Sequence, residues 1–171
     1  MRKLLLGLVV LLSGCGYTTG SLLPSNYHTI NIEAFKNKIG YLNESRRELY
    51  IPLLENKVHD NVIQRFQNDG HLKVERSGST DLVLKGELIG FEREELRVDN
   101  NQNVTEYRLR ITVNIDLIDP ATEKEIWRES SFSGEATYYL TGPQSKSESV
   151  ALTDALTDLS RRIVERTLEN W

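Results

Sequence analysis

The feature that most restricts the fold of this chain is a strict two-residue alternation in the segment YRLRITVNIDL, residues 107–117. Its odd positions are apolar and its even positions are polar. The apolar set is Tyr107, Leu109, Ile111, Val113, Ile115 and Leu117, and the polar set is Arg108, Arg110, Thr112, Asn114 and Asp116. Because successive side chains of a β-strand point to opposite faces, the segment is predicted to be a strand. One face should pack on a core, and the other should meet water or a polar partner.

The segments on either side of this strand predict an antiparallel meander over residues 81–139. DLVLKGELIGFERE precedes it across the turn-forming cluster DNNQN, and IWRESSFSGEATYY follows it across DPATEKE. The first of these segments is apolar at both parities in its first part, which is typical of a strand in the middle of a sheet.

Two segments have the spacing of amphipathic helices. Leu54, Val58, Val62 and Phe66 recur every fourth residue, and Gly70 follows as a left-handed cap. Residues 147–171 carry a second stripe, formed by Leu152, Leu156, Leu159, Ile163 and Leu168. Residues 28–34 read as a further strand and residues 36–50 as a loop. HLKVERS, residues 71–77, is a short strand candidate. The predicted fold class is α+β: two helices packed on one face of a mostly antiparallel, mixed four-stranded sheet, a two-layer sandwich.

The N-terminus has the layout of an export signal. Arg2 and Lys3 are basic, residues 4–12 are apolar apart from one glycine, and Ser13 and Gly14 are small. The apolar run is shorter than the roughly 20 residues of a membrane-spanning helix. LSGC, ending at Cys15, resembles the bacterial lipobox.

That resemblance implies a domain division and a membrane anchor. Residues 1–14 are expected to be removed, residues 15–26 to form a lipidated N-terminus and tether, and residues 27–171 to form a single α+β domain. Gly16, in place of the aspartate that retains such proteins in the inner membrane, favours the outer membrane by analogy. A single cysteine cannot form an internal disulfide, which leaves its thiol available for lipid.

The rest of the sequence contains no recognisable catalytic or cofactor motif. There is no nucleophile elbow, no zinc-protease motif and no phosphate loop. His28, His59 and His71 lack the spacing of metal ligands, so no metal and no cofactor are predicted. A formal net charge of −4 argues against nucleic acid as a partner. The protein is therefore predicted not to be an enzyme.

Arg108 and Arg110 are candidate ligand-binding residues because they share the exposed face of the alternating strand. Their spacing lets both guanidinium groups approach one phosphorylated surface, with Lys85 as a possible neighbour on the next strand. The alternative is an ordinary solvated face, in which each arginine is paired with Glu87 or Asp116.

Several stretches, taken together in order, resemble the LptE family of lipopolysaccharide-assembly lipoproteins. They are the lipobox with CGY, FKN, DGHLKV, DLVLKGELIGF, EYRLRITVNIDLID, EIW and the terminal IVERTLENW. Two features depart from the family pattern. Residues 36–51 are longer than a minimal family loop, and Glu123 stands where the pattern often has glycine.

The resemblance implies a non-enzymatic function in the outer membrane. Members of the family plug the lumen of the β-barrel protein LptD, help it to assemble, and bind lipopolysaccharide on its way to the cell surface. Two alternatives remain open from the residues alone. One is a lipoprotein subunit of another envelope machine, such as a secretin pilot or a barrel-assembly factor. The other is a lipid-anchored periplasmic hydrolase.

Overall fold

The computed structural model describes residues 23–40, 50–76 and 79–169, which form six strands and two helices. In chain order these are β1 (Thr29–Ile32), β2 (Lys36–Asn37), α1 (Leu54–Asp69), β3 (Lys73–Val74), β4 (Leu82–Val98), β5 (Val104–Asp119), β6 (Lys124–Tyr139) and α2 (Glu148–Glu169). The sheet order is β3-β1-β4-β5-β6, and β2 pairs with β4 beyond the end of β1. The pairs β1–β3, β1–β4 and β2–β4 are parallel. The pairs β4–β5 and β5–β6 are antiparallel.

The predicted α+β class with two helices and a mixed sheet is confirmed, but the predicted count of four strands is wrong. The sheet has six strands because β2 and β3 both join it, and each has only two residues. β3 lies within the short strand candidate of residues 71–77. Two residues are too few to show an alternation, and β2 lies inside the segment that was predicted to be a loop. The meander over residues 81–139 and the central position of β4 are both confirmed.

The core lies on the face of the sheet that carries the odd residues of β5. Their side chains from Leu109 to Leu117 are fully buried, whereas the even positions are only half-buried. In β4 the register shifts between Leu88 and Gly90, so that Leu88 and Phe91 reach the same face although they are three residues apart. This bulge explains why the buried positions of β4 change from even, at Leu88, to odd, at Phe91.

Both helices cover this core face. The predicted stripe of α1 is buried, and Gly70 takes the expected left-handed cap with φ 81°. The predicted stripe of α2 is buried as well. The start of α2 is fixed by Glu148, which accepts hydrogen bonds from Arg93 and from the Tyr138 hydroxyl, both at 2.9 Å. Burial and this carboxylate together raise the pKa of Tyr138 to about 12.

Side chains of α2 also close the outer edge of β6. The Glu135 N–H donates to the Asp158 carboxylate at 3.1 Å, and Arg162 donates to the Ser133 carbonyl. Arg166 forms an ion pair with Glu129 at 2.7 Å. Backbone groups that would otherwise attract a further strand are thus occupied by the helix.

The turn between β5 and β6 contains a residue whose backbone conformation favours glycine. Glu123 has φ 55°, at the position where the family pattern often has glycine. A left-handed conformation costs a residue with a side chain about 1–2 kcal/mol, and replacing it by glycine removes this cost. Part of the resulting stabilisation is lost because glycine is more flexible in the unfolded chain. We expect Glu123→Gly to raise the free energy of unfolding by about 0.5–1 kcal/mol, measured by urea denaturation.

A neighbouring substitution provides the control for this prediction. Lys124 is exposed and has no positive φ, so Lys124→Gly should only weaken the strand. Equal destabilisation by both substitutions would show that the conformation of Glu123 carries no strain.

Candidate functional site

The face of the sheet opposite the helices is the candidate functional surface, and we call it the open face. It carries polar side chains from the three long strands. They are Lys85, Glu87, Glu92 and Glu94 of β4, then Arg108, Arg110, Thr112, Asn114 and Asp116 of β5, and Arg128, Ser133, Glu135 and Thr137 of β6. The alternation of β5 places these residues on the open face, because its odd positions are taken by the core.

Arg108 and Arg110 lie together on the open face, as predicted, and both contact glutamates. Arg110 Nε lies 2.6 Å from one Glu135 oxygen, and Arg108 Nε lies 3.4 Å from the other. Glu94 lies 3.5 Å from Arg108 and 3.9 Å from Arg110. Glu92 lies 3.9 Å from Arg110. We call these five residues the arginine–glutamate cluster.

The cluster holds three carboxylates against two guanidinium groups, which leaves one negative charge in excess. The hydrogen bond to Glu135 raises the pKa of Arg110, so the guanidinium stays charged at any physiological pH. About a third of each arginine side chain remains exposed. Each guanidinium has five N–H donors, so an incoming phosphate can bind donors that the carboxylates leave free.

Lys85, the third candidate, does not join the arginine–glutamate cluster. The register places it opposite Asp116, and its ammonium group lies 3.8 Å from Glu33. Asp116 and Arg110 are six positions apart on β5, which corresponds to about 20 Å along a strand. Lys85 instead borders a cavity of about 110 Å³ at the other end of the open face.

The predicted partners of the arginines were wrong. Asp116 pairs with Arg128 at 2.7 Å, and Glu87 lies opposite Asn114 in the register. The missed partners were Glu92, Glu94 and Glu135. The hairpin offered a signal for two of them, since Glu94 and Arg108 are equidistant from Asn101 at the centre of the turn, as are Glu92 and Arg110.

The remaining candidate residues form no metal site in the described part of the chain. His59 Nε2 lies 3.2 Å from the Ile32 carbonyl, and His71 Nδ1 lies 2.7 Å from Asp69. Among the described residues, no three histidine, cysteine, aspartate or glutamate side chains are placed to hold a metal ion. Cys15 and the predicted signal lie outside the described residues. Neither described helix is both long enough and apolar enough to cross a membrane.

Comparison with protein families identifies the chain. The family model for LptE, described as lipopolysaccharide-assembly, matches residues 27–167. The chain belongs to the LptE family. The match contains all six strands and nearly all of α2, so it covers the whole fold that carries the open face. No curated protein matches this chain in sequence.

Solved structures with a similar fold are distant in sequence. A hypothetical protein from Chlamydia trachomatis is 13% identical, with a TM-score of 0.56 and coverage of 82% of this chain and 95% of that chain. A protein from Xanthomonas campestris is 13% identical, with a TM-score of 0.57 and coverage of 87% and 90%. The PelC dodecamer from Paraburkholderia phytofirmans is 13% identical, with a TM-score of 0.52 and coverage of 90% and 95%. At this identity the likeness shows a shared fold alone.

Proposed function

We propose that this LptE-family protein is a non-enzymatic outer-membrane lipoprotein that plugs and helps to assemble a lipopolysaccharide-exporting β-barrel of the LptD type. In this proposal the protein also binds lipopolysaccharide during its delivery to the cell surface. The observation that carries the proposal is the family match over residues 27–167.

The shape and polarity of the fold suit a plug. β4 has 17 residues, so the three-stranded part of the sheet is about 55 Å long. α2 packs on β5 and β6 from one side, and α1 packs on α2 and on β1 and β3. The open face is polar along its length, and large membrane barrels have polar, water-filled interiors. A rigid domain of this kind can occupy such a lumen without burying unpaired charges.

The proposed partner is tested by purification from membranes. A tagged copy of the full chain, extracted in detergent, should bring down a large β-barrel protein of the LptD type in a fixed ratio. Recovery of a secretin or of a barrel-assembly complex in its place would identify the alternative, a subunit of another envelope machine. Recovery of no barrel protein under conditions that retain the lipid anchor would contradict the proposal.

The proposed anchor is Cys15. We expect mass spectrometry of the mature protein to find residues 1–14 removed and acyl chains on an N-terminal Cys15. Two or more chains anchor stably, because each buried CH₂ contributes about 0.8 kcal/mol. Cys15→Ser should leave an unlipidated precursor that keeps its signal. A mature N-terminus at any other residue would remove the argument for lipid anchoring.

The proposed ligand contacts are Arg108 and Arg110. We expect the double variant Arg108→Gln, Arg110→Gln to bind lipopolysaccharide about tenfold more weakly or worse, because each charge-assisted hydrogen bond contributes roughly 1.5–3 kcal/mol. Glutamine keeps much of the side chain and avoids adding carboxylates to a cluster that is already acidic. The measurement is the affinity for purified lipopolysaccharide at fixed ionic strength.

Arg128→Gln is the matched control for these contacts. Arg128 lies on the same open face, pairs with Asp116, and stands outside the arginine–glutamate cluster. It should leave lipopolysaccharide affinity unchanged. If the double variant also binds as the unmodified protein does, Arg108 and Arg110 serve only the solubility of the sheet, and the site lies elsewhere.

A further inference from the structure

We propose that the outer edge of β4, over residues 90–95, docks an extended strand of a partner protein in which basic and apolar side chains alternate. This edge is distinct from the open face, and the inference does not depend on the proposed export function. It rests on the unpaired backbone of β4 and on the charges beside it.

Half of β4 lacks a neighbour on its outer side. β5 pairs with β4 along its whole length, whereas on the other side β1 pairs only with residues 82–84 and β2 only with residues 87 and 88. From residue 90 onward, no strand among the described residues adjoins this side. On the opposite edge of the long sheet, α2 occupies the backbone groups of Ser133 and Glu135 in β6. No described helix makes such contacts with β4 from residue 90 onward, so this part of β4 is a long open edge of the described sheet.

The register shows which backbone groups this edge presents. The outward carbonyls of Leu84 and Leu88 accept hydrogen bonds from the N–H groups of Glu33 and Lys38, which directly follow β1 and β2, at 2.9 and 2.8 Å. The alternation continues after the bulge as far as Glu95, so Phe91, Arg93 and Glu95 direct their N–H and C=O groups away from β5. The register shifts again between Glu95 and Arg97, which ends this regular stretch. No hydrogen bond joins these outward groups to another described residue, and such a row is a template for another strand.

Charges beside the edge define the side chains that a docked strand should carry. Glu135 takes the shortest contacts of both arginines, which leaves Glu92 and Glu94 with contacts of 3.5–3.9 Å. These two glutamates are 59% and 53% exposed and lie two residues apart next to the edge. A strand laid beside β4 places alternate side chains against them, and lysine or arginine at those positions balances their charge.

The other face of a docked strand should be apolar. Its remaining side chains come to lie on the core side, where Phe91 is almost fully buried at the end of the core and Arg93 is already paired with Glu148. A second copy of this chain fits this edge poorly. On the open face its own β4 would bring Glu92 and Glu94 against the same two residues, and like charges opposite one another are destabilising.

Amide hydrogen exchange on the full mature chain tests the proposal with a short synthetic peptide that alternates lysine with valine. The peptide should slow exchange at the N–H groups of Phe91, Arg93 and Glu95 and leave the β6 edge unchanged. A peptide that alternates glutamate with valine should not do so.

Two substitutions at one position separate backbone docking from charge. Glu95 is exposed and forms no ion pair with another described residue. Glu95→Pro removes an outward N–H, which an edge strand tolerates, whereas Glu95→Thr removes the same charge and keeps the N–H. Proline should weaken binding of the lysine–valine peptide at least about tenfold relative to threonine. Equal affinity of the two variants overturns the docking site.

A charge reversal tests the chemistry of the partner without relying on proline. The double variant Glu92→Lys, Glu94→Lys should prefer the glutamate–valine peptide over the lysine–valine peptide. If the preference is unchanged, the proposal that the partner strand is basic is wrong.

Hydrogen exchange without peptide tests two other occupants of the edge. Protection of the N–H groups of Phe91, Arg93 and Glu95 that rises with protein concentration assigns the edge to a second copy. Protection of the same N–H groups at every protein concentration, with no peptide binding, shows that the edge is closed by the chain itself. Both of these outcomes contradict the proposal.

Discussion

Val113→Asp should unfold or severely destabilise the domain, with a loss of about 3–5 kcal/mol in the free energy of unfolding. Val113 is fully buried at the centre of β5, between Leu88 of β4 and Phe132 of β6. The residues that surround it are apolar, so a carboxylate there either loses its hydration without a partner or must take up a proton. Thermal unfolding followed by circular dichroism measures the effect.

Thr112→Asp is the matched control, since it adds the same group one residue away. Thr112 lies on the open face, half-buried, opposite Gly90 and Ser133. Its side chain reaches water, and the substitution should cost less than about 1 kcal/mol. Similar losses for the two variants would mean that the two faces of β5 have been assigned the wrong way round.

The different environments of Val113 and Thr112 were predictable from the sequence. An alternation of apolar and polar residues over eleven positions is compatible with only one assignment of the two faces of β5. The helical stripes were predictable for the same reason. β2 was not, because a strand of two residues has no period, and β2 forms only through its pairing with β4. β3 was indicated only as a short strand candidate over residues 71–77, and its two residues are fixed by pairing with β1. Both strands depend on tertiary contacts more than on local sequence.

The candidate site was only half predictable. Arg108 and Arg110 were assigned to the correct face, but their partners depend on the register between strands. The bulge at Leu88 and Gly90 changes the parity of β4, and a shift of one residue exchanges the faces of every side chain beyond it. Lys85 lies before this bulge and the arginines pair with residues after it. A glycine inside a strand often marks a bulge, but the run contains both Gly86 and Gly90, so the local sequence does not show which of them marks it.

Gly134→Ala should be the second strongly destabilising substitution, with a loss of about 3 kcal/mol and a fall in melting temperature of roughly 10 °C. An added Cβ at Gly134 would lie 2.4 Å from the backbone nitrogen of Leu159 and 2.5 Å from its Cα. These are backbone atoms in the middle of α2, so no side-chain rotation relieves the clash. The helix must move away from β6, which also weakens the bonds of Asp158 and Arg162 to the edge of that strand.

Gly90→Ala separates this close approach from the general effect of replacing a glycine in a strand. An added Cβ at Gly90 meets only the side chain of Thr112, at 3.4 Å, on the open face. Alanine there should change the free energy of unfolding by less than about 1 kcal/mol, because alanine restricts the unfolded chain and needs little movement of its neighbour. Hydrogen exchange at the Glu135 N–H adds a second measurement: it should become faster in Gly134→Ala and stay unchanged in Gly90→Ala. If Gly134→Ala keeps both its stability and the protection of this N–H, α2 does not depend on a glycine for its contact with the sheet.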